Sequence, residues 1–145
     1  MSELEELADA DFFELMVTRF TPESSTEECQ IETLQELDER LATVLSDQML
    51  AINLNCVSDD ADWGSFLLLL CGERALVHLM EGPCISARDP SLSAPGAAPV
   101  RFRDDAGFWH EAPFEHTISR EQGLRSLRRW LSQRSKAPEL LWTQV

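Results

Sequence analysis

The spacing of apolar residues predicts two amphipathic helices in different parts of the chain. Between residues 31 and 45 the apolar positions recur every three or four residues, and Thr33 can cap this helix. Its opposite face carries acids, which are Glu32, Glu36, Asp38 and Glu39. The second helix is capped by Ser119 and ends before Pro138. Its apolar stripe consists of Leu124, Leu127, Trp130 and Leu131, and arginines cover much of the rest.

Strands are predicted where apolar residues alternate with polar ones or form short continuous runs. Residues 48–57 alternate, which is typical of a half-buried strand. Residues 65–71 and 74–80 are apolar runs joined at Gly72 and Glu73, which indicates a hairpin in the centre of a sheet. Further strands are expected in a second hairpin around residues 100–102 and 108–110, with its turn at 104–107, and in a terminal segment at 139–145.

Two segments are not assigned to a single regular element. Residues 1–25 suit either a short acidic helix around Leu4 and Leu7 or a strand. The apolar side of that strand would consist of Phe13, Leu15, Val17 and Phe20. Residues 89–99 contain three prolines and a glycine with little to bury, so we expect a mobile loop there.

This order of elements predicts a single α+β domain over residues 1–145. We expect an antiparallel sheet of about five to six strands, with the helices packed mainly on one face. A chain of this length buries about 68% of the surface that it exposes when unfolded, so a core forms without disulfides. The cysteines are Cys29, Cys56, Cys71 and Cys84. They form no CxxC pair, and we expect buried free thiols in a reducing compartment.

Charge is distributed unevenly along the sequence. The net charge is −14, and residues 1–62 carry 17 acids against Arg19 and Arg40, whereas residues 119–145 carry six bases against two acids. An acidic field of this size repels nucleic acid and anionic membranes and attracts a basic partner. A charge that serves only solubility is the alternative explanation. We expect the arginines of the second helix to pair with acids of the same molecule.

The sequence predicts a cytoplasmic protein. Acids in the first 11 residues occupy the place where an export signal would have basic residues. The most apolar run, from Phe66 to Cys71, has six residues, whereas a membrane-spanning helix needs about 18. We therefore expect neither export nor insertion into a membrane.

Residues capable of catalysis are present without a recognised arrangement. His110 and His116 flank Glu111 and Glu115, but this spacing fits neither one face of a helix nor one face of a strand, so no metal site is expected. No phosphate-binding glycine loop or nucleophile motif is present. We predict no enzymatic activity and no cofactor, and we expect His78 to be a structural histidine. A small enzyme that uses His110 and Glu111 is a competing interpretation.

The C-terminal sequence resembles the closing pattern of a family of immunity proteins. That pattern has an isoleucine before a helix entered through Glu-Gln, a polar break, and then Pro-Glu-x-Leu-x-Trp. The matching residues are Ile118, Ser119, Glu121, Gln122, Pro138, Glu139, Leu141 and Trp142. The preceding residues Asp105, Gly107, His110 and Glu111 also look like the family pattern. The family is the first-numbered immunity family of bacterial polymorphic toxin systems, and the resemblance covers residues 100–145.

The resemblance implies a cytoplasmic antidote to a secreted toxin used in competition between bacteria. Toxins paired with such proteins often carry a deaminase domain that acts on cytosine in nucleic acid. These domains are commonly basic, so an inhibitor with a net charge of −14 would complement them. The implied partner is one toxin domain, bound as a heterodimer at its active site or substrate groove. No direct contact with nucleic acid or membrane is implied.

The residues expected to bind the toxin are chosen for exposure, charge and aromatic character, not from the family pattern. The first set is Asp59, Asp60, Asp62 and Trp63, in the predicted turn after residues 48–57. The second set is Asp104, Asp105, Trp109 and Glu111, in the predicted second hairpin. An aromatic anchor surrounded by charge provides both affinity and steering. Leu127, Pro138, Leu141 and Trp142 are expected instead to be structural, in a terminal strand locked under a helix.

An acidic adaptor or chaperone for a secreted effector is the alternative from a different class of protein. It would also be small, acidic and cytoplasmic. A chaperone binds an unstructured export segment and leaves the toxin active, whereas an immunity protein binds the folded toxin domain and abolishes its activity. The activity of the toxin in the presence of this protein distinguishes the two.

Overall fold

The computed structural model describes residues 12–57 and 64–145 and contains ten strands and two α-helices in these residues. The strands are β1 (Phe12–Arg19), β2 (Ser25–Ile31), β3 (Met49–Val57), β4 (Ser65–Cys71), β5 (Arg74–Met80), β6 (Cys84–Arg88), β7 (Val100–Arg103), β8 (Trp109–Ala112), β9 (Ile118–Ser119) and β10 (Leu141–Gln144). The helices are α1 (Leu34–Ala42) and α2 (Arg120–Gln133), and a short 3-10 helix spans Phe114–His116.

Eight of the strands form one antiparallel sheet in the order β10-β6-β5-β4-β3-β1-β2, with β9 also paired to β5. Strands β7 and β8 form a separate two-stranded sheet. The α+β class and the antiparallel sheet are confirmed, but the predicted number of five to six strands is too low. Strand β2 carries no alternating pattern because it lies at the edge of the sheet and is exposed on both faces along most of its length.

The main core lies between the helices and one face of the sheet. Trp130 of α2 is 1% exposed, and its ring centroid lies 6.2 Å from that of Phe13 and 5.7 Å from that of Phe66. Gly123 allows α2 to approach the sheet closely, because a Cβ atom at this position would lie 2.8 Å from Cδ1 of Leu68. Both helices contribute buried leucines to this core, which agrees with the prediction that they pack on one face.

The opposite face of the sheet is partly covered by the hairpin of β7 and β8. A second buried cluster forms beneath it, and its members are Phe20, Ala51, Leu69, Leu76, Phe102 and Ala112. Phe102 is fully buried although its strand has only four residues. The predicted second hairpin is therefore confirmed, and it serves as a cover for the sheet.

The predicted N-caps of both helices are confirmed, but the first helix is shorter than the predicted span of residues 31–45. Thr33 caps α1 by accepting a hydrogen bond from the Glu36 amide, so the helix begins at Leu34, and Ile31 is the last residue of β2. Ser119 and Gln122 form a reciprocal capping box at the start of α2. Gly72 occupies the predicted turn between β4 and β5 with φ +56°, a conformation that favours glycine.

For residues 1–25 the sequence allowed either a helix or a strand, and the structure decides between them from residue 12 onward. Phe13, Leu15 and Val17 line the buried side of β1, as the strand interpretation predicts, but Phe20 follows the end of β1 and belongs to the buried cluster on the opposite face of the sheet. The proposed helix around Leu4 and Leu7 lies outside the described residues. Between residues 89 and 99, the Asp89 carboxylate accepts hydrogen bonds from Ser91 and Gln122, which joins the start of this loop to α2.

The four cysteines are free thiols, as expected, but they are half-buried and not fully enclosed. Burial raises the pKa of Cys56 to about 12, and it also raises the pKa of Cys29 and Cys84. These thiols are therefore protonated near neutral pH and are poor nucleophiles. Neither helix in the described part of the chain has the length and apolar character needed to cross a membrane.

Candidate partner-binding surface

The hairpin of β7 and β8 has one face against the sheet and one face in solvent. Phe102 pairs with His110 in the register, and both side chains lie on the sheet side. The alternate positions pair Arg101 with Glu111 and Arg103 with Trp109. Successive side chains of a strand point to opposite faces, so Arg101, Trp109 and Glu111 project outward. Arg103 is half-buried, and its guanidinium carbon lies 5.0 Å from the centroid of the Phe20 ring. Trp109 and Glu111 are therefore on the exposed side of the hairpin, as predicted.

The two aspartates of the hairpin turn are engaged inside the molecule. Asp104 accepts hydrogen bonds from the amides of Ala106 at 3.0 Å and Phe108 at 2.9 Å, and its Oδ2 lies 2.7 Å from Nε2 of His110. Asp105 Oδ2 accepts a hydrogen bond from Nδ2 of Asn53 on β3 at 3.2 Å. The structure thus gives these carboxylates a role in forming the turn and holding it on the sheet.

Burial raises the pKa of the Asp104 carboxyl, but its hydrogen bonds with His110 and the turn amides outweigh this effect. The net pKa of Asp104 is therefore lower than usual. The carboxylate form is the one that accepts these bonds. Asp104 is consequently charged at neutral pH, but its carboxylate is engaged in hydrogen bonds within the hairpin.

A histidine pair lies where the hairpin meets the sheet. The rings of His78 on β5 and His110 on β8 are edge to face, with centroids 6.2 Å apart. Burial, and secondly the charge of His110, lower the pKa of His78. A neutral, half-buried His78 that contacts another ring agrees with the predicted structural role.

The outer face of the hairpin is basic and aromatic, whereas an acidic and aromatic surface was expected. Trp109 is 49% exposed and Phe108 is 71% exposed. The guanidinium carbon of Arg101 lies 4.6 Å from the centroid of the Trp109 ring, and that of Arg103 lies 5.4 Å from it. Because both aspartates of the turn are engaged internally, Glu111 is the exposed acid among the four residues predicted here.

The first predicted set, Asp59, Asp60, Asp62 and Trp63, lies outside the described residues. These positions follow β3 and precede β4 in the chain. Their predicted contact with a toxin stays a prediction.

Three of the residues that match the immunity-family pattern lie at the start of α2 or directly before it. Ile118 is fully buried in the main core. Gln122 completes the capping box and also donates from Nε2 to Asp89 at 3.0 Å. Glu121 is exposed and pairs with Arg125 on the next turn at 2.7 Å. Two of these three side chains therefore have roles within the fold, and the third lies on the surface.

The remaining matching residues differ in burial along the C-terminal segment. Trp142 is half-buried and donates from Nε1 to the carbonyl oxygen of Ala137 at 3.0 Å. Leu141 is 51% exposed, and Pro138 and Glu139 are also exposed, so the prediction that Leu141 and Pro138 pack under the helix is wrong. Leu140 is buried in place of Leu141, because side chains alternate in direction as the chain enters β10.

The arginines of α2 are used in several ways. Arg128 forms a two-point ion pair with Asp38 of α1, as predicted for arginines facing the acidic helix. Arg134 pairs with Glu81 at 3.4 Å. Arg120 instead donates to the carbonyl oxygens of Leu45, Asp47 and Gly72, which fixes two loops against the start of α2.

Several exposed acids lie at the opposite end of the sheet order from β10. We call this surface the acidic edge, and it comprises Glu27, Glu28, Glu32, Glu36 and Glu39 on β2, the following turn and α1. The first three and Glu39 are exposed, and Glu36 is half-exposed. The helical pattern of residues 31–45 predicted the acids of α1, whereas residues 25–31 lack an apolar alternation that would indicate a strand, so the acids of β2 were not predicted.

A cleft opens between β2 and α1 at the acidic edge. It has a volume of about 310 Å³ and is lined by Leu15, Val17, Glu27, Glu28, Cys29 and Arg40. Leu15 and Val17 are buried, so they form an apolar floor. Burial raises the pKa of Cys29, and the positive charge of Arg40 only partly opposes this effect. The cleft therefore presents a protonated thiol and an apolar floor, with the exposed carboxylates of Glu27 and Glu28 and the exposed guanidinium of Arg40 beside them.

Within residues 12–57 and 64–145, no group of three or more histidine, cysteine or acidic side chains is arranged to hold a metal ion. The chain matches no model of a known protein family and no curated protein.

Proposed function

We propose that this protein is a cytoplasmic immunity protein that binds and inhibits the toxin domain of a bacterial polymorphic toxin system. The toxin is a basic domain that deaminates cytosine in nucleic acid. The protein blocks the active site or substrate groove of the toxin in a one-to-one complex. In this proposal it contributes no catalytic group and no cofactor.

The observation that carries the proposal is the separation of charge between surfaces. At the hairpin, Asp104 and Asp105 are held in internal hydrogen bonds beside two arginines. At the acidic edge, Glu27, Glu28 and Glu32 are exposed. A net charge of −14 combined with an exposed acidic edge is complementary to a protein that binds a nucleic acid backbone.

Complementary charge would raise the association rate with the toxin as well as the affinity. Complementary charge raises association rates from the usual range of about 10⁵–10⁶ M⁻¹s⁻¹ to as much as about 10⁸–10⁹ M⁻¹s⁻¹ at low salt. An antidote must capture its toxin before the toxin reaches nucleic acid. A surface that imitates the charge of the substrate serves this purpose, because it competes for the same basic groove.

The resemblance of the C-terminal sequence supports the same function through a different part of the chain. Ile118 and Gln122 support the entry to α2, and Trp142 anchors the segment that leads into β10. These roles concern the fold. The resemblance therefore supports a fold of the immunity-protein type. The acidic edge supports the binding of a basic toxin domain.

The test uses the C-terminal domain of the toxin encoded beside this protein. Its deaminase activity on nucleic acid is measured at rising ratios of the purified protein, and its association rate is measured at several salt concentrations. We expect activity to fall to zero near one equivalent. Retained deamination at a saturating ratio contradicts the proposed function.

A pair of charge-matched variants locates the binding surface. In the edge variant, Glu27, Glu28 and Glu32 are replaced by Gln. In the control variant, the exposed acids Glu73, Glu115 and Glu139 are replaced by Gln, so that the net charge changes equally. We expect the association rate at low salt to fall about ten-fold in the edge variant and less than about two-fold in the control. An equal decrease in both variants contradicts a specific role for the acidic edge.

A second candidate function is an adaptor for an extended export segment of a secreted effector. The open side of β2, exposed along most of its length, favours this function, since such an edge accepts extended chains. An adaptor would bind the toxin protein while leaving its deaminase activity intact. Binding with full activity in the assay above would therefore favour the adaptor.

A further inference from the structure

We propose that the partner adds an extended, basic segment as a new strand along the open side of β2. This inference rests on the proposed function and specifies how the toxin domain is held. It is carried by the geometry of the edge and of the cleft beside it. The glutamates select the charge of the segment that binds.

The backbone of β2 is the first part of the argument. All seven residues of β2 pair in register with β1, from Ser25 opposite Arg19 to Ile31 opposite Phe13. In the described part of the chain, β1 is the one strand that pairs with β2. Every second residue of an edge strand directs its N–H and C=O groups away from the sheet. These groups form a ready template for an added strand.

The cleft provides a place for a side chain of the added strand. Glu27 and Cys29 lie on the α1 side of β2, in register with Val17 and Leu15 of β1. These four residues contribute to the cleft of about 310 Å³. An aliphatic side chain projecting from the added strand toward α1 would cover the apolar floor. Strand addition commonly obtains its affinity from the backbone and its specificity from such pockets.

The acids on β2 determine which segment is accepted. Glu27 faces the α1 side of the sheet and Glu28 faces the other side, because neighbouring residues alternate. Opposite charges stabilise cross-strand pairs, and like charges destabilise them. The preferred segment therefore has Lys or Arg near Glu27 and near Glu28, and an apolar residue that enters the cleft.

Two other occupants of the edge fit less well. A second copy of this chain would place glutamates opposite glutamates, so pairing of two β2 strands is opposed by charge repulsion. The other end of the sheet, β10, is also an edge but has four residues and no acid. It offers a shorter backbone ladder and no attraction for a basic segment. The basic partner is thus directed to β2.

The experiment measures amide hydrogen exchange in the free protein and in its complex with the toxin domain used above. In the free protein, amides within residues 25–31 that point away from β1 should exchange rapidly. In the complex, these amides should exchange at least about ten-fold more slowly, while amides of β10 should be unchanged. Deaminase activity is measured in the same samples, so that binding and inhibition are recorded together.

A charge-reversal variant provides the second measurement. We expect Glu27→Lys with Glu28→Lys to weaken binding at least about 100-fold and to abolish the protection of residues 25–31. The matched control, Glu115→Lys with Glu139→Lys, changes the net charge equally and should retain both. Unchanged exchange of β4 amides in each variant confirms that the sheet is folded.

The outcomes separate the inference from the proposed function. Inhibition without protection of residues 25–31 overturns strand addition and leaves the immunity function standing. Protection of these residues with retained deaminase activity supports strand addition and overturns the immunity function. Slow exchange of all β2 amides in the free protein shows that the edge is already covered, and it overturns the inference.

Discussion

The hairpin of β7 and β8 and the acidic edge contain the same type of side chain in opposite situations. In the hairpin, Asp104 accepts two amide hydrogen bonds and contacts His110, and Asp105 reaches Asn53 on the sheet. At the acidic edge, Glu27 and Glu28 project from an exposed strand beside an open cleft. Carboxylates of the hairpin are therefore expected to contribute to stability, and those of the edge to binding.

The net charge of the chain therefore does not show where on its surface a partner binds. Both regions contain acids near the protein surface. At the hairpin, however, the exposed aromatic ring of Trp109 is accompanied by Arg101 and Arg103. Substitutions in the two regions are expected to change the free energy of unfolding by different amounts. These changes can be measured in the isolated protein.

The largest effect is expected at the apolar side of the hairpin. Phe102 is fully buried in the cluster between the hairpin and the sheet. Replacing Phe102 by Ala should lower the free energy of unfolding by about 3–5 kcal/mol. Urea denaturation measures this loss, and Phe108→Ala is the matched control because Phe108 is 71% exposed. If both variants lose the same small amount, the hairpin contributes little to stability.

A smaller effect is expected from the turn carboxylate. Replacing Asp104 by Ala leaves the amides of Ala106 and Phe108 without their side-chain acceptor and should cost about 1–3 kcal/mol. Glu111→Ala, in the same hairpin but exposed, should change the free energy of unfolding by less than about 0.5 kcal/mol. Equal losses would show that the turn bonds of Asp104 do not stabilise the fold.

The Asp104 effect should also depend on acidity. Because the pKa of Asp104 is lowered in the folded protein, its contribution is complete above the unfolded value of about 3.9 and is lost as the pH falls through the folded pKa. The difference in stability between the wild type and Asp104→Ala should therefore shrink below about pH 4. A difference that stays constant down to pH 2 would contradict this assignment.

A weaker dependence on pH is expected from the histidine pair. The pKa of His78 is lowered by burial and by the charge of His110, so the unfolded state takes up its proton more readily. The stabilising contribution is complete above about pH 6.5 and is lost as the pH falls below that value. Unfolding at pH 7, 6 and 5 should show a smaller loss of stability in His78→Gln than in the wild type.

The smallest change in stability is expected at the acidic edge. Replacing Glu27, Glu28 and Glu32 by Gln removes exposed charges of one sign and should change the free energy of unfolding by less than about 0.5 kcal/mol. Removing neighbouring like charges favours a slight gain over a loss. Thermal unfolding provides the measurement. A loss as large as that of Asp104→Ala would place these glutamates in the fold and remove the contrast between the two regions.

Elements encoded by neighbouring residues were predictable. The Thr33 cap, the Ser119 capping box and the turn at Gly72 each depend on side chains or backbone angles within a few residues. The long apolar runs of β4 and β5 identified the centre of the sheet because both faces of these strands are covered. In these cases the local sequence and the tertiary environment favour the same structure.

Strand β2, at one margin of the sheet, was not predictable from the apolar pattern. Strand β2 has the sequence STEECQI, and its polar residues reflect an edge that is exposed along most of its length. At the other margin, the terminal strand predicted over residues 139–145 is present as β10, but the buried leucine there is Leu140 and not Leu141. Apolar periodicity does not reveal a strand whose side chains are mostly exposed on both faces. Strand β2 is therefore defined by its pairing with β1.

The sequence by itself determined the α+β class, the two helices, the central hairpin, the net charge of −14 and the presence of acids on α1. Only the tertiary structure decided which acids are available to a partner. Asn53 and Asp105 are 52 residues apart in the chain, yet they form a hydrogen bond when the hairpin covers the sheet. Whether a carboxylate is engaged or exposed depends on such distant contacts, because its hydrogen-bond partners come from elements that meet only in the folded chain.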